Sequence, residues 1–192
     1  MNSYRDEILE YIDFIELVSL YSKENTIGYL AAGYAAEMLE LSNLLTNSQI
    51  VKPEMVLKEA GDCIWFLVSI GNCLSSGSIV NILDDVLQIP NEHEHEEDVD
   101  IEYIAAIQKL SEPLISIMAK HLRGDRKYED LRQSIQVFDI GVLLNLLNSV
   151  CTYYGYSLIE AMRHNRKKLA SRFDQNLIKG DGDIRTTEEK NV

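Results

Sequence analysis

Gly33 to Leu67 reads GYAAEMLELSNLLTNSQIVKPEMVLKEAGDCIWFL and carries two acid pairs of identical internal spacing. Glu37 and Glu40 form the first pair, Glu59 and Asp62 the second. Thr46-Asn47-Ser48 and then Lys52-Pro53 form a turn-rich link between them. Residues three apart on a helix share a face, about one turn from each other. Two such helices running antiparallel aim four carboxylates at one point. The neighbours Ala35, Ala36, Leu39, Leu41, Ala60, Ile64 and Trp65 read as core residues. Acids planted among core residues require a counter-charge or a ligand.

Outward from this stretch, apolar residues recur at helical spacing almost throughout, which predicts an all-α protein. The first helix is expected over about Tyr4 to Ser22, with Ile8, Tyr11, Ile12, Ile15 and Val18 on its buried face. The acid pairs lie on helices of about Thr26 to Leu45 and Pro53 to Leu74, proline suiting a first turn. A short helix follows from Ile79 to Leu87, then one from Ile101 to Leu122, with Pro113 as a kink or boundary. Tyr128 to Tyr154 reads as one long apolar helix ended by Gly155. Ser157 caps a last helix, Leu158 to about Phe173, with Glu160 as capping-box partner. Asp174 to Val192 is polar and reads as a tail. The stretch Pro90 to Asp100 interleaves His93 and His95 with acids and reads as a solvated acidic linker, with any metal affinity incidental.

Composition narrows the functions available. The chain has 192 residues, 46% hydrophobic and 26% charged, enough for a core without staples. Its net charge of −13 argues against nucleic-acid polymers and anionic membranes as partners, since both need clustered cations. A divalent metal still lets a negative protein take a negative phosphate compound. Cys63, Cys73 and Cys151 have no metal-ligand spacing and read as small core residues in a reducing compartment. The N-terminal MNSYRDEILEYID is acidic and amphipathic, unlike a secretory signal, and no apolar run approaches the roughly 20 residues of a membrane span. The expected location is the cytoplasm, the host's if the chain is viral.

The two halves echo one another. Glu59-Ala-Gly-Asp62-Cys-Ile-Trp-Phe-Leu67 leads to Ser75-Ser76-Gly77-Ser78-Ile79, and Gln136-Val-Phe-Asp139-Ile-Gly-Val-Leu-Leu144 leads to Tyr154-Gly155-Tyr156-Ser157-Leu158. Ser111-Glu112-Pro113-Leu114-Ile115 then falls opposite Ala36-Glu37-Met38-Leu39-Glu40. The expectation is one domain over 1–173, with a live copy at about 1–88, a degenerate copy at about 101–173 and a tail over 174–192.

Four converging carboxylates raise one another's pKa and cannot all ionise alone. Either basic residues pair with them or hard divalent cations sit among them. Lys52 and Lys58 are the few cations these two helices supply, which favours metal. An all-oxygen set suits Mg²⁺, or Mn²⁺, and not zinc. A di-iron bundle needs Glu-x-x-His on two helices. Glu92 to His95 is the one such spacing, and Glu160 and His164 are four apart.

Glu37-x-x-Glu40, an 18-residue spacer and Glu59-x-x-Asp62 resemble the signature of the MazG-like all-α nucleoside triphosphate pyrophosphohydrolases, which include the dimeric dUTPases. Lys58 to Leu67 is similar to that family's Glu-Leu-Gly-Asp-Val-Leu-Trp-Tyr-Leu segment. Asn165-Arg-Lys-Lys168-Leu169-Ala-Ser-Arg172 resembles its closing helix. The match covers about Thr26 to Leu74 and Gly155 to Phe173; the intervening Ser75 to Tyr154 departs from the short members. The resemblance implies a helical bundle of MazG or dimeric-dUTPase type, a dimer or higher homo-oligomer. It also implies cleavage of a (d)NTP or related nucleotide between its α- and β-phosphates, giving monophosphate and pyrophosphate. Glu37, Glu40, Glu59 and Asp62 would hold Mg²⁺, with Glu40 or Glu59 taking the proton of the attacking water. Lys168 and Arg172 would neutralise phosphate charge, where the bland reading is cations at a helix C-terminus. Asn165 would orient a phosphate or water, Trp65 or Phe66 would stack on the base or else pack in the core, and Gly180-Asp181-Gly182 would close over phosphates. The rival reading is a catalytically inactive bundle that binds a nucleotide or a protein partner.

Overall fold

Helical periodicity is realised as eight helices, with no strand among the described residues. The computed structural model describes residues 4–20, 26–47, 50–75, 78–88, 99–135 and 137–178. The linker with His93 and His95, Gln136 and the Gly180–Gly182 segment lie outside them. In order the helices are α1 (Tyr4–Val18), α2 (Thr26–Asn47), α3 (Pro53–Ser75), α4 (Ser78–Gln88), α5 (Val99–Leu122), α6 (Tyr128–Ser134), α7 (Val137–Tyr153) and α8 (Leu158–Asp174). None is long and apolar enough to cross a membrane.

α3 is the central element. Every residue from Glu59 to Gly71 is buried, so it is enclosed on all sides rather than along one stripe. α2, α8, α7, α4 and α1 all pack against it, while α5 covers α2 and α7. α1 contributes the five residues its periodicity predicts, Ile8, Tyr11, Ile12, Ile15 and Val18, all buried. Cys63 and Cys151 are core residues, Cys73 is half-buried beside the Tyr128 hydroxyl, and all three thiols are free.

Three expectations need correcting. The long helix from Tyr128 to Tyr154 is broken: Ile135 takes extended backbone (φ −91°, ψ 106°) between α6 and α7. Neither glycine nor proline marks this break. Ser134 Oγ instead donates to Asp130 O at 2.7 Å and accepts from Arg126, while Ile135 drops into the core. On α2, Ala36 is exposed and Leu39 is 53% exposed, so the acids there sit at the rim of the core rather than inside it. The polar tail also begins later than Asp174. Asn176 adopts a left-handed φ of 55°, Leu177 N–H donates to Arg172 O, and Ile178 is buried. With the Asn176 N–H donating to Phe173 O, this is a Schellman-type helix end.

The start of α8 follows its local signal. Ser157 Oγ accepts from the Glu160 N–H at 3.3 Å, and Glu160 Oε2 accepts from the Ser157 N–H at 2.8 Å. Asn148 of α7 adds a tertiary cap, its Oδ1 accepting the Leu158 N–H at 3.1 Å. Ser157→Ala should therefore lower stability by about 1 kcal/mol, measured by urea unfolding. A loss under about 0.3 kcal/mol would mean that Asn148 alone holds this helix end.

Candidate functional site

α2 and α3 run side by side as a hairpin and bring their acids together where α8 crosses α3. One carboxylate oxygen from each of Glu37, Glu40 and Glu59 lies within 4.8 Å of the others. The three differ in setting: Glu40 is exposed, Glu37 partly buried, and Glu59 only 7% exposed. Glu59 Oε1 accepts from Lys58 Nζ at 2.8 Å, but Glu59 Oε2 is buried with no hydrogen-bond partner. An orphaned buried acceptor costs about 1–3 kcal/mol, and more when charged. Glu59 therefore has an oxygen that fits a ligand the protein itself does not supply, and three clustered carboxylates fit a hard divalent cation.

Glu37 feels this crowding most. Burial, then the Asp62 and Glu40 charges, push its carboxyl up to about 7 against opposition from Lys168. A carboxyl whose folded pKa is raised costs stability above that pKa, and the cost vanishes as pH falls toward the unfolded value. Glu37→Gln should thus stabilise the metal-free protein at pH 8, with the gain shrinking by pH 6, as read from melting curves in EDTA. His164 runs oppositely in this window, because burial and then Lys168 hold its pKa down, so the parent–variant difference is the proper measure. A gain that grows toward pH 6 would contradict the crowding.

The counter-charge is larger than the two helices alone suggest. Lys58 is bound to Glu59; burial pulls its pKa down, but Glu59, Asp62 and Glu40 together raise it. Lys168 of α8 pairs with Asp62 Oδ1. The same oxygen accepts from Asn165 Nδ2 at 2.7 Å, so Asn165 and Lys168 both meet at the fourth acid. Arg172 is half-buried one helical turn beyond Lys168. Asp62 Oδ1 is thus occupied from α8, while the three glutamates form the cluster.

Two glycines set these approaches. A Cβ on Gly61 would lie 2.9 Å from Ala161 O and 3.2 Å from Asn165 Cβ, so its absence lets α8 come down onto α3. A Cβ on Gly33 would lie 2.1 Å from the Phe66 ring, which fills that notch. Trp65 meets Phe66 edge-on with centroids 4.8 Å apart, and both are buried, so both pack in the core here. Trp65 Nε1 has no hydrogen-bond partner.

Sequence reasoning missed one participant. Tyr11 of α1 is buried, and its hydroxyl donates to Asn165 Oδ1 at 3.1 Å. Its spacing marks it only as a core residue of α1. The one available hint is general: a buried tyrosine needs a partner for its hydroxyl.

No known family profile, characterised protein or solved structure matches this chain.

Proposed function

We propose that the chain is a Mg²⁺-dependent nucleotide pyrophosphohydrolase of the MazG-like, dimeric-dUTPase class. The observation that carries this reading is the Glu37–Glu40–Glu59 cluster with its orphaned, buried Glu59 Oε2. A divalent cation bound there supplies Lewis-acid stabilisation of phosphate oxygens and a more acidic bound water. Glu37 and Glu59 would hold it from the two helices of the hairpin. Glu40, the exposed member, takes the proton of the water that attacks the α-phosphorus. The bridging oxygen then leaves with the β- and γ-phosphates as pyrophosphate. Lys168 offsets the charge carried by the phosphates.

The proposal extends to the organisation of the chain. α2–α3 and α5–α7 are both packed pairs, α3 packs on α8 as α7 packs on α4, and α1 touches both α4 and α8. Buried Ile104, Ile107, Ser111 and Met118 of α5 fall 77 residues after buried Ile27, Leu30, Tyr34 and Leu41 of α2. The Tyr34 and Ser111 hydroxyls share a hydrogen bond of 2.6 Å. This register, rather than one pairing Glu37 with Glu112, places Leu114 and Ile117 at the positions of Glu37 and Glu40. We read α5–α7 as a degenerate copy without the three glutamates of the first, its Asp139, at the position of Asp62, exposed.

The test is a panel of nucleoside triphosphates and related nucleotides with Mg²⁺, assayed for phosphate with and without added inorganic pyrophosphatase. Signal that depends on the pyrophosphatase is expected for at least one nucleotide. Silence across the panel would leave the inactive nucleotide- or protein-binding bundle.

A further inference from the structure

Glu59 offers its two carboxylate oxygens unequally. Lys58 Nζ donates to Oε1 at 2.8 Å, while Oε2 is buried without a partner. Residues one apart on a helix do not face each other, so Lys58 reaches its neighbour only by laying its long stem along the surface of α3. The Lys58 side chain is 43% exposed and that of Glu59 10%, which puts the ammonium nearer solvent than the carboxylate it holds. Glu59, Asp62 and Glu40 all draw the ammonium to this place. An ammonium has N–H donors and no acceptor, so it cannot ligate a cation and can only take up carboxylate oxygens. Lysine holds by a point contact where arginine would fork across both oxygens, and so it leaves the second one open. A pair this open adds little to stability. Its consequence lies in which oxygen of Glu59 stays free.

We propose that Lys58 sets the metal preference of the glutamate cluster by leaving Glu59 a single free oxygen. This rests on the reading of the glutamates as a metal site. Calcium takes about six to eight oxygens and readily uses both oxygens of one carboxylate. Magnesium demands near-octahedral geometry, keeps several waters and needs few protein oxygens. With Oε1 held by Lys58, Glu59 is a one-oxygen donor, which suits the smaller ion and withholds from the larger an oxygen it can use. Lys58 is therefore a positioning residue that acts through Glu59. In the sequence it counts only as a nearby cation.

The experiment uses the full chain, with Mn²⁺ as the spectroscopic stand-in for the smaller ion. Mn²⁺ binding is followed by electron paramagnetic resonance and then displaced with Ca²⁺, for the parent, Lys58→Met and Lys58→Ala. Melting curves in EDTA check that each variant is folded. Loss of a nearby positive charge strengthens both ions alike, because both carry the same charge. The ratio of their dissociation constants cancels that effect and reports the freed oxygen. It should move toward Ca²⁺ by about tenfold in both variants, the low end of what outer-shell changes do to metal affinity. Equal strengthening of the two ions, no change in either, or a ratio that moves toward Mn²⁺ overturns the role given to Lys58 and leaves the metal site standing. A parent chain that binds no Mn²⁺ overturns both readings, the metal site first.

Discussion

Glu59→Gln should release pyrophosphate from the preferred nucleotide at about a thousandth of the parent rate, with Glu37→Gln behaving alike. The magnitude follows from the role. A metal ion contributes several kcal/mol of transition-state charge stabilisation, and about 4 kcal/mol corresponds to a thousandfold. Glu59 is the most exacting position, because it presents a buried oxygen that no protein donor satisfies. The substitution is nearly isosteric, so the hairpin should survive it. The Lys58–Glu59 pair that it disturbs is half open to solvent on the lysine side and contributes little. Loss of pyrophosphate release without a fall in melting temperature in EDTA is therefore the expected pair of results. A Glu59→Gln protein that keeps most of its activity would remove the glutamate cluster from the mechanism.

Gly61→Ala is the second large effect, and it acts at a distance. Alanine improves helix propensity by about 1 kcal/mol, while overpacking a tight contact costs about 1–3 kcal/mol. The net change in stability should be modest and unfavourable. Activity should fall further, by about tenfold to a hundredfold, because misplacing a catalytic group by roughly 1 Å can cost that much. The contact at 2.9 Å is with backbone, Ala161 O, which has no side-chain rotamer to yield. α8 itself must retreat, and it carries Asn165 and Lys168 away from Asp62. Gly61→Val should exaggerate both effects. Parallel measurement of melting and pyrophosphate release separates them: equal activity in a destabilised Gly61→Ala protein would detach α8 from the site.

How much of this could be read from residue order differs by element. The face of α1, the α2–α3 hairpin and the capped start of α8 were all legible. So was the pairing of Glu37 with Glu40, since three-residue spacing puts side chains on one face whatever surrounds the helix. The break at Ile135 was not legible, because no residue there opposes helix; burial of Ile135 in the core goes with extended backbone. Leu39 misled in the other direction. It looks like core, and stands exposed because nothing among the described helices covers that side of α2.

The amino-acid order by itself determined the helical class, the matched acid pairs with their oxygen-only side chains and the Ser157 cap. Each of these depends on residues within a few turns of one another, where helix geometry alone decides the outcome. Only the tertiary structure decided that Glu59 keeps an unsatisfied oxygen and that Asp62 faces Lys168 and Asn165. It also made Tyr11 part of the site. Those outcomes join residues far apart in the chain, 106 positions for Asp62 and Lys168 and 154 for Tyr11 and Asn165. They depend on how closely α8 approaches α3, and the missing Cβ of Gly61 sets that distance only once the two helices meet.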